Sequence, residues 1–305
     1  MNWRISILIL YFSALSCQKE TGLSLASHEG YLISATEVMS VRKKENFKFL
    51  DFRKEVNYLK EHISGAIQIW RKDIENPNFE YGGMMPSKEQ VENLFSNLGI
   101  ATTDYIIIYD DNGLCEAARL WWILQNYDFN KVKLLQGGLP DWKSAGGKVD
   151  TVTPSYPKSE FILTNQPSMK YFASKKEVKN AIKNQVTIID TRSTDEFMGI
   201  YHKKGAAKPG RISNSLHIDW AAAINYHGDK SLKSIVELEK TYNNRITTKS
   251  DPIILYCHSG VRSAHTTFVL TQLLGYENVR NYDGSWTEWS HFDELPIENE
   301  SLTFN

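Results

Sequence analysis

Cysteine is scarce in this 305-residue sequence, which contains only Cys17, Cys115 and Cys257. Three cysteines cannot form the disulfide framework that stabilises small secreted domains. Charge of one sign is lacking too, because 35 Lys and Arg against 36 Asp and Glu leave a net charge of -1. This balance argues against nucleic acid or an anionic membrane surface as the main partner. The apolar fraction, 41%, and the length predict two globular domains of ordinary size.

Long hydrophobic runs are also missing, except at the N-terminus. Residues 5–16 are apolar but too short to span a bilayer, and they follow the weakly basic residues 1–4. We therefore predict that residues 1–17 are a signal peptide. The run ends at Ala14-Leu15-Ser16-Cys17 and resembles a lipoprotein signal, with Cys17 as the lipidated residue, although Ala14 stands where that signal prefers Leu. Simple secretory cleavage is the alternative and an uncleaved segment the third; the first two predict an exported, periplasmic protein.

The rest of the chain repeats itself. A capping box, in which Ser and Glu are three residues apart at the start of a helix, occurs at Ser34 and again 140 positions later at Ser174. Residues 188–192 likewise repeat the apolar-Asp-x-Arg pattern of residues 49–53, and residues 254–257 repeat residues 107–110. Trp142 lies 32 residues after Asp110, and Trp289 lies 32 residues after Cys257. The sequence therefore predicts a tandem duplication.

Each half alternates short apolar strands with helical patterns, which is typical of an α/β fold with a parallel sheet and helices on both faces. We predict one domain over residues 28–150 and a second over residues 170–300. Residues 151–169 contain Pro154, Pro157 and Pro167 and little periodicity, so they are interpreted as a linker. Ligands of such sheets bind at the carboxyl ends of the strands. Cys257 is predicted to lie at that edge.

The most informative stretch is Ile253-Ile254-Leu255-Tyr256-Cys257-His258-Ser259-Gly260-Val261-Arg262-Ser263. It predicts a buried strand, a tight loop and the start of a helix that ends near Gly275. Loop amides and a helix N-terminus attract anions, and a nearby guanidinium lowers the pKa of a thiol. Cys257 is therefore interpreted as a nucleophile for an anionic substrate, although a lone cysteine is more often a small buried hydrophobic residue. Cysteine phosphatases and arsenate reductases have five residues between the cysteine and the arginine of such a loop, whereas four residues separate Cys257 from Arg262. The shorter loop disfavours these two classes of enzyme.

The Cys-x-x-Gly-Val-x-Ser loop after a strand resembles the active-site loop of the rhodanese family, the thiosulfate and 3-mercaptopyruvate sulfurtransferases. The segment Asn281-Tyr282-Asp283-Gly284-Ser285-Trp286-Thr287-Glu288-Trp289 also resembles the segment that follows this loop in tandem-domain members. The resemblance implies two rhodanese-like domains and a persulfide that forms on Cys257. It implies no cofactor, and the remaining histidines show no metal-ligand spacing.

The resemblance also implies roles for other residues. The backbone amides of residues 258–263 would hold the persulfide sulfur, and Arg262 would neutralise the charge of the leaving sulfite. Asp190 and Arg192 would support the loop, and Ser285 would lie near the persulfide. Three questions stay open. Ser259 and Ser263 either donate hydrogen bonds or cap the helix. His258 is either a cation for the substrate or a solvent-exposed loop residue. Finally, the inserted Lys203, Lys204 and Lys208 form a solvated loop or guide anions to the site.

The first domain is predicted to be catalytically silent, because Asp110 stands where the second domain has Cys257. A carboxylate can neither carry sulfane sulfur nor attract an anion. Cys115 is interpreted as a structural residue. Trp70, Arg71 and Arg119 are candidates for the first domain's side of the interdomain cleft.

The leading hypothesis is a thiosulfate sulfurtransferase that passes sulfur to cyanide or to a thiol. Thiosulfate enzymes often have Arg-Lys after the cysteine, and mercaptopyruvate enzymes often have Gly-Ser followed by Thr; His258-Ser259 matches neither. Arg262 and the Asn281–Trp289 stretch favour thiosulfate over 3-mercaptopyruvate. A persulfide carrier for a protein partner is the alternative of another class. The partners implied are a small anionic sulfur donor and a thiophilic acceptor. No nucleic acid is expected, and no membrane contact except through a lipid anchor. The oligomeric state is left open.

Overall fold

The computed structural model describes residues 30–41, 46–243, 245–246 and 248–299, so the predicted signal peptide and Cys17 lie outside the described residues. These residues form two α/β units, each built around a five-stranded parallel sheet. The predicted fold class is therefore confirmed. Within the described ranges, no helix combines the length and the apolar character that a bilayer span requires.

The first unit contains seven strands, five α-helices and a 3₁₀ turn. Its strands are β1 (Leu32–Ile33), β2 (Phe47–Asp51), β3 (His62–Ile63), β4 (Ile67–Gln68), β5 (Tyr105–Tyr109), β6 (Val132–Leu135) and β7 (Val149–Asp150). Its helices are α1 (Ala35–Val41), α2 (Glu55–Tyr58), α3 (Lys88–Asn97), α4 (Cys115–Asn126) and α5 (Gly138–Ser144), with the 3₁₀ turn at Arg71–Ile74.

The second unit repeats this order. Its strands are β8 (Phe172–Ala173), β9 (Thr187–Asp190), β10 (Arg211–Ile212), β11 (Leu216–His217), β12 (Ile253–Tyr256), β13 (Val279–Tyr282) and β14 (Ile297–Glu298). Its helices are α6 (Lys175–Lys183), α7 (Thr194–Phe197), α8 (Ile235–Asn243), α9 (Val261–Phe268) and α10 (Ser285–Trp289), with a 3₁₀ turn at Trp220–Ala223 and a π-helical turn at Val269–Leu273.

The two sheets have equivalent strand orders, β1-β6-β5-β2-β4 and β8-β13-β12-β9-β11. A small antiparallel pair accompanies each sheet, β3 with β7 and β10 with β14. The central strands β5 and β12 occupy the same place and carry Asp110 and Cys257 at their carboxyl ends. The predicted duplication therefore holds strand by strand.

Local sequence explains most of these elements. The apolar runs of β5 and β12 are buried along almost their whole length, as expected for strands covered by helices on both faces. The capping boxes at Ser34 and Ser174 close as predicted, and Ser174 Oγ accepts the amide of Glu177. The helix predicted to run to Gly275 loses α geometry after Phe268. The hydroxyls of Thr267 and Thr271 donate to carbonyls four residues back, which competes with the helical ladder.

One of the hydrophobic clusters spans both units. Helices α4 and α9 pack against each other, and Trp121 meets Phe268 edge to face with ring centroids 5.0 Å apart. Residues 151–169, the predicted linker, form neither helix nor strand but lie on the first unit. Phe161 and Leu163 are buried in its core, and Tyr156 donates to the carbonyl of Gly65. The loop after β12, which leads into α9, therefore rests on packing that both units supply.

Candidate active site

Cys257 lies in a tight loop between β12 and α9 and is only 1% exposed. The loop ends at Gly260, whose φ of +76° is a left-handed conformation that favours glycine. A Cβ added there would also lie 2.8 Å from Nη1 of Arg119 and 3.0 Å from the carbonyl oxygen of Asp283. Glycine is therefore favoured at position 260 both by the left-handed backbone and by the close approach of Arg119 and Asp283.

Ser285 holds the loop from behind. Its buried Oγ accepts the amides of Cys257 and Gly260, both at 3.1 Å, and donates to the carbonyl of Tyr282 at 2.8 Å. The expectation that the amides of residues 258–263 hold the sulfur therefore needs correction at Gly260, whose amide is bonded to Ser285. Ser285 itself has a φ of +50°, the conformation that Gly138 adopts at the equivalent place in the first unit.

The electrostatic surroundings favour the thiolate of Cys257. Burial alone would raise the pKa of this thiol, but the charge of Arg262 and the nearby backbone amides of Ser263 and Ser259 outweigh it. The net effect lowers the pKa of Cys257 below its ordinary value. The thiol of Cys115, by contrast, has a pKa well above the ordinary value because it is buried beside the charges of Glu116 and Asp110.

Arg262 is held in a two-pronged ion pair with Glu196. Its Nη1 and Nη2 donate to the two carboxylate oxygens at 2.7 and 2.9 Å. Burial would raise the pKa of Glu196, but the bonds and charge of Arg262 lower it to about 2. Arg262 acts on Cys257 through its positive charge. Glu196 was not predicted from the sequence, although the capping box that it forms with Ser193 could have pointed to it.

The inserted lysines behave differently from one another. Lys203 faces the site: burial and the charge of Arg262 lower its pKa, while Glu196 and Cys257 act the other way. Lys204 is exposed and contributes its backbone carbonyl, which meets Nε2 of His258 at 3.2 Å. Lys208 forms an ion pair with Asp293 at 2.8 Å. Of the two interpretations of this insertion, the anion-guiding one fits Lys203.

His258 is neutral at pH 7. Burial, followed by the charge of Arg262, lowers the pKa of its imidazole to about 4. The ring of His258 is partly buried with Nε2 3.2 Å from the carbonyl oxygen of Lys204, and the lowered pKa disfavours the cationic alternative. Its backbone carbonyl also accepts the amide of Thr287, so His258 ties the loop to α10.

The Asp-x-Arg motifs support the strands rather than the chemistry. Arg192 pairs with Asp190 at 2.6 Å, donates to the carbonyl of Gly210 and lies over the ring of Trp286. The first unit contains the same arrangement, in which Arg53 pairs with Asp51 and donates to a carbonyl. A motif present in both units follows the fold, and the support of the active-site loop that the resemblance implied for Asp190 and Arg192 stays a prediction.

Asp110 fills the first unit's anion cradle with its own carboxylate. One oxygen accepts the amides of Asn112 and Leu114, and the other accepts those of Glu116 and Ala117, at 2.8–3.0 Å. Burial nevertheless raises the pKa of Asp110 to about 6, against the opposing effect of these amides. The amides that an anion would need are already occupied.

The first unit contributes directly to the second unit's loop. Arg119, 2% exposed, donates to Asp283 Oδ1 at 2.6 Å, to the carbonyl of Gly83 at 2.8 Å and to that of Gly260 at 3.4 Å. At Gly83, with a φ of +89°, an added Cβ would lie 2.6 Å from the Cβ of Ser259. The sequence suggested Arg119 as a cleft residue, whereas the structure shows it buried behind the loop. Gly83 was not predicted from the sequence.

The other two cleft candidates lie on the first unit. Arg71, which is bonded to Glu116, interacts electrostatically with Cys257 and so belongs to the site. Trp70 packs its ring edge against Phe52 of its own unit. Cys115 and Val261 lie in an apolar cluster with Trp220 and Ile224 at the boundary between the units. Across the part of the chain that the structure describes, no group of three His, Cys, Asp or Glu side chains is arranged for a metal.

Comparison with known proteins identifies the family. The family model of the Rhodanese-like domain matches residues 34–145 and again residues 174–292. A Mycobacterium bovis protein provisionally named thiosulfate sulfurtransferase 1 is 37% identical over 248 residues, covering 79% of this chain and 87% of the relative. The sulfur carrier protein TtuD of Thermus thermophilus is 32% identical over 252 residues, covering 77% of this chain and 85% of the relative.

A solved structure agrees with these matches. The Tum1 protein of Saccharomyces cerevisiae aligns with a TM-score of 0.77 at 23% identity, covering 89% of this chain and 98% of Tum1. At that identity the likeness supports the fold, while the family itself is shown by the two domain matches and the sequence relatives. The chain therefore belongs to the rhodanese family of sulfur-transferring proteins, with two Rhodanese-like domains in tandem.

Proposed function

We propose that this protein is a thiosulfate sulfurtransferase that works through a persulfide on Cys257. The observation that carries the proposal is the buried thiol with a lowered pKa, at the carboxyl end of the central strand and beside the charge of Arg262. A thiolate is the nucleophilic form of cysteine. The family membership supports sulfur transfer in general.

The reaction has two halves. The Cys257 thiolate attacks the outer sulfur of thiosulfate, the sulfur–sulfur bond of the donor breaks, and its electron pair leaves with sulfite. Cys257 then carries one extra sulfur atom with a negative charge. In the second half an acceptor attacks that terminal sulfur, and the electron pair of the breaking bond returns to Cys257 as a thiolate.

Three features support the use of an anionic donor. The side chain of Lys203 forms no hydrogen bond or ion pair with any described residue, so its charge is available to the donor. Arg71 and Arg262 add positive charge near Cys257, although each is paired with a carboxylate. The amides of Ser259 and Ser263 donate toward Cys257, where they can also stabilise the charge of the persulfide.

The test follows both halves with purified protein and with Cys257→Ser. Thiosulfate and cyanide are supplied, sulfite and thiocyanate are measured, and intact mass reports an added sulfur atom. We expect turnover and one added sulfur in the parent protein and neither in Cys257→Ser. Cys115→Ser is the matched control and should retain the added sulfur. A parent protein that gains no sulfur from thiosulfate would contradict the proposal.

Two other functions are distinguished by the same assay. Faster persulfide formation from 3-mercaptopyruvate would keep the mechanism and change the donor. The relative named as a sulfur carrier favours the second candidate, in which the persulfide is passed to a protein. That function predicts a persulfide that forms readily from thiosulfate but leaves Cys257 only when a protein acceptor is added.

We also propose that the protein is exported and anchored by a lipid on Cys17, from the sequence of residues 1–17 alone. Labelled fatty acid should be incorporated in bacterial cells that express the full chain, and Cys17→Ser should abolish the labelling. Equal labelling of both proteins, or of neither, would contradict the lipid anchor. Cell fractionation then separates a cleaved periplasmic protein from one that stays in the cytoplasm.

A further inference from the structure

Helix α6 presents a row of lysines to solvent. Val178 and Ala181 on its inner side are buried against the second sheet. Its outer side carries Lys176, Lys179 and Lys183, all exposed. These three positions are three and four residues apart, so their side chains project from the same side of the helix. Together they form the lysine face, which brings three positive charges to one surface.

No carboxylate within the described ranges neutralises the lysine face. Glu177, the one acidic residue of α6, pairs with Arg280 and accepts the hydroxyl of Ser174. The lysine face itself takes part in no hydrogen bond or ion pair with another described residue. The chain as a whole is close to neutral, with a net charge of -1. The lysine face is therefore a local concentration of positive charge that the composition does not reveal.

The described chain begins next to the strand that leads into α6. Tyr31 and Tyr171 both contact the ring of Trp121, with ring centroids 5.7 and 5.4 Å away. Tyr171 lies directly before β8, and four residues later α6 begins at Lys175, a step of at most about 14 Å. Gly30, the first described residue, precedes Tyr31. The chain therefore enters the described structure near the start of α6.

The proposed lipid on Cys17 lies within reach of this surface. Gly30 is 13 residues after Cys17, and a chain of that length spans at most about 45 Å. Helix α6 and the second sheet together are roughly 20 Å thick. The connection is therefore long enough for the outer side of α6 to face a membrane that holds the lipid. A protein tethered to a membrane needs only a weak attraction to turn one side toward it.

The two sides of the second sheet differ in what covers them. Helix α6 packs with Ile188 and Ile254, whereas the turn that continues α9 packs with Ile189 and Leu255. Alternate residues of a strand point to opposite sides of a sheet, so α6 and α9 lie on opposite sides. Helix α9 packs on the first unit. The lysine face therefore points away from the first unit, and a membrane on that side does not cover the boundary between the units.

We propose that the lysine face rests on anionic phospholipid head groups when the protein is anchored at Cys17. The lipid phosphates supply the negative charge that the protein lacks on this side, and lysine ammonium groups donate to phosphate oxygens. Each such lysine strengthens attachment to an anionic membrane about fivefold, and salt confines the attraction to about 10 Å. This inference rests on the proposed lipid anchor for its setting, but the lysine face can be tested without the lipid.

The first experiment uses full-length protein with Cys17→Ser, which has no thiol for a lipid at that position. Sedimentation measures its binding to vesicles of phosphatidylcholine alone, and to vesicles in which about a third of the lipid is phosphatidylglycerol. The triple variant Lys176→Gln/Lys179→Gln/Lys183→Gln removes the lysine face. We expect it to bind the anionic vesicles at least about tenfold more weakly in low salt, because three attractive charges are lost.

A matched control removes the same number of positive charges elsewhere. It replaces three exposed lysines outside α6, through Lys54→Gln/Lys60→Gln/Lys240→Gln. This variant should bind the anionic vesicles as the Cys17→Ser chain does. High salt and neutral vesicles should each abolish the difference between the two triple variants, because the attraction is electrostatic. Circular dichroism checks that both variants are folded.

The second experiment uses the lipidated full chain, purified from the membranes of bacteria that express it and placed in the same vesicles. An acetylating reagent modifies exposed lysines, and mass spectrometry of peptides gives the rate at each one. We expect the lysine face to be acetylated about threefold more slowly on anionic than on neutral vesicles. Lys54, Lys60 and Lys240 should react equally on both.

The outcomes separate this inference from the proposals on which it rests. If the chain carries no lipid on Cys17, the anchor fails, and the first experiment alone decides whether the lysine face binds anionic lipid. If the two triple variants bind anionic vesicles equally, the lysine face is not a membrane surface, and the anchor and the sulfurtransferase function stand. The same conclusion follows if the lysine face and the control lysines of an anchored protein are equally protected.

Discussion

At the residue scale, the two units differ most at the position directly after the central strand. The carboxylate of Asp110 accepts four backbone amides, whereas the thiol of Cys257 lies where the charge of Arg262 and nearby backbone amides lower its pKa. Each loop surrounds one acidic side chain, the carboxyl of Asp110 in the first unit and the thiol of Cys257 in the second. The carboxylate of Asp110 thus takes the place that a bound anion would occupy in the first unit.

The first prediction concerns Ser285. In Ser285→Ala the amides of Cys257 and Gly260 lose their acceptor in a buried place, which should cost about 1–3 kcal/mol of unfolding free energy. The loop should also lose its fixed shape, so that persulfide formation slows by at least tenfold. Urea denaturation and the rate of sulfite release check the two parts. Ser144→Ala, an exposed serine, is the control, and equal rates in both variants would refute the role of Ser285.

The second prediction concerns the pH dependence of Cys257. Since Arg262 is the largest influence lowering the thiol pKa, replacing it should raise that pKa. The thiolate is the reactive form, so the rate falls as pH falls through the pKa, and this fall should begin at higher pH in the variant. Arg262→Met alone would leave Glu196 buried and unpaired, so the double variant Glu196→Gln/Arg262→Met is used.

The measurement for this double variant is the rate of persulfide formation or thiol alkylation between pH 5 and pH 10. At pH 7 we expect a rate about tenfold below that of the parent protein, with recovery at high pH. Lys204→Met keeps Arg262 and should retain the parent profile. An unchanged midpoint in the double variant would show that backbone hydrogen bonds alone set the pKa of Cys257.

At the scale of elements, the first unit positions the loop that contains Cys257. Helix α4 carries Arg119 across the boundary to the carbonyl of Gly260 and to Asp283. The segment around Gly83 closes on Ser259, and the amide of Met85 donates to the other oxygen of Asp283. The loop of one unit is thus built against two elements of the other.

The third prediction tests this contact through Arg119→Met. Removing one partner of a buried ion pair leaves Asp283 uncompensated, which should lower stability by about 3–5 kcal/mol. Arg119→Lys keeps the charge and should recover part of that loss. If Arg119 also positions the loop, the pH profile of alkylation at Cys257 will shift in Arg119→Met at temperatures where the protein is folded. Lower stability with an unshifted profile would assign Arg119 a structural role alone.

At the scale of the whole molecule, the two units cannot be separated without exposing core. Ala264 and Phe268 of α9 belong to the same buried cluster as Trp121 and Leu120 of α4. Residues 151–169 strengthen this unity because they lie on the first unit before the chain enters the second. The molecule should therefore unfold as one cooperative body.

The fourth prediction is that residues 170–300 alone will not form an active protein. Without the first unit, Phe268 becomes exposed and the loop loses the contact of Arg119 with Gly260. We expect aggregation or a loss of sulfite release of at least a hundredfold per molecule, checked by light scattering and by the thiosulfate assay. The full chain with Lys204→Met is the reference. A soluble fragment with parent-like activity would refute the dependence on the first unit.

The sequence by itself determined the duplication, the α/β class and the location of Cys257 and Asp110. These features depend on local patterns, since four or five apolar residues in a row form a buried strand and a Ser-x-x-Glu spacing caps a helix.

Only the tertiary structure decided which charged groups meet. Arg262 pairs with Glu196, 66 positions away, and Arg119 reaches Gly260, 141 positions away. The chain has 35 cationic and 36 acidic residues, so residue type and spacing cannot select one pair among so many. The contact of Arg119 with the loop follows from helix packing, because α4, which carries Arg119, packs against α9, which begins directly after Gly260.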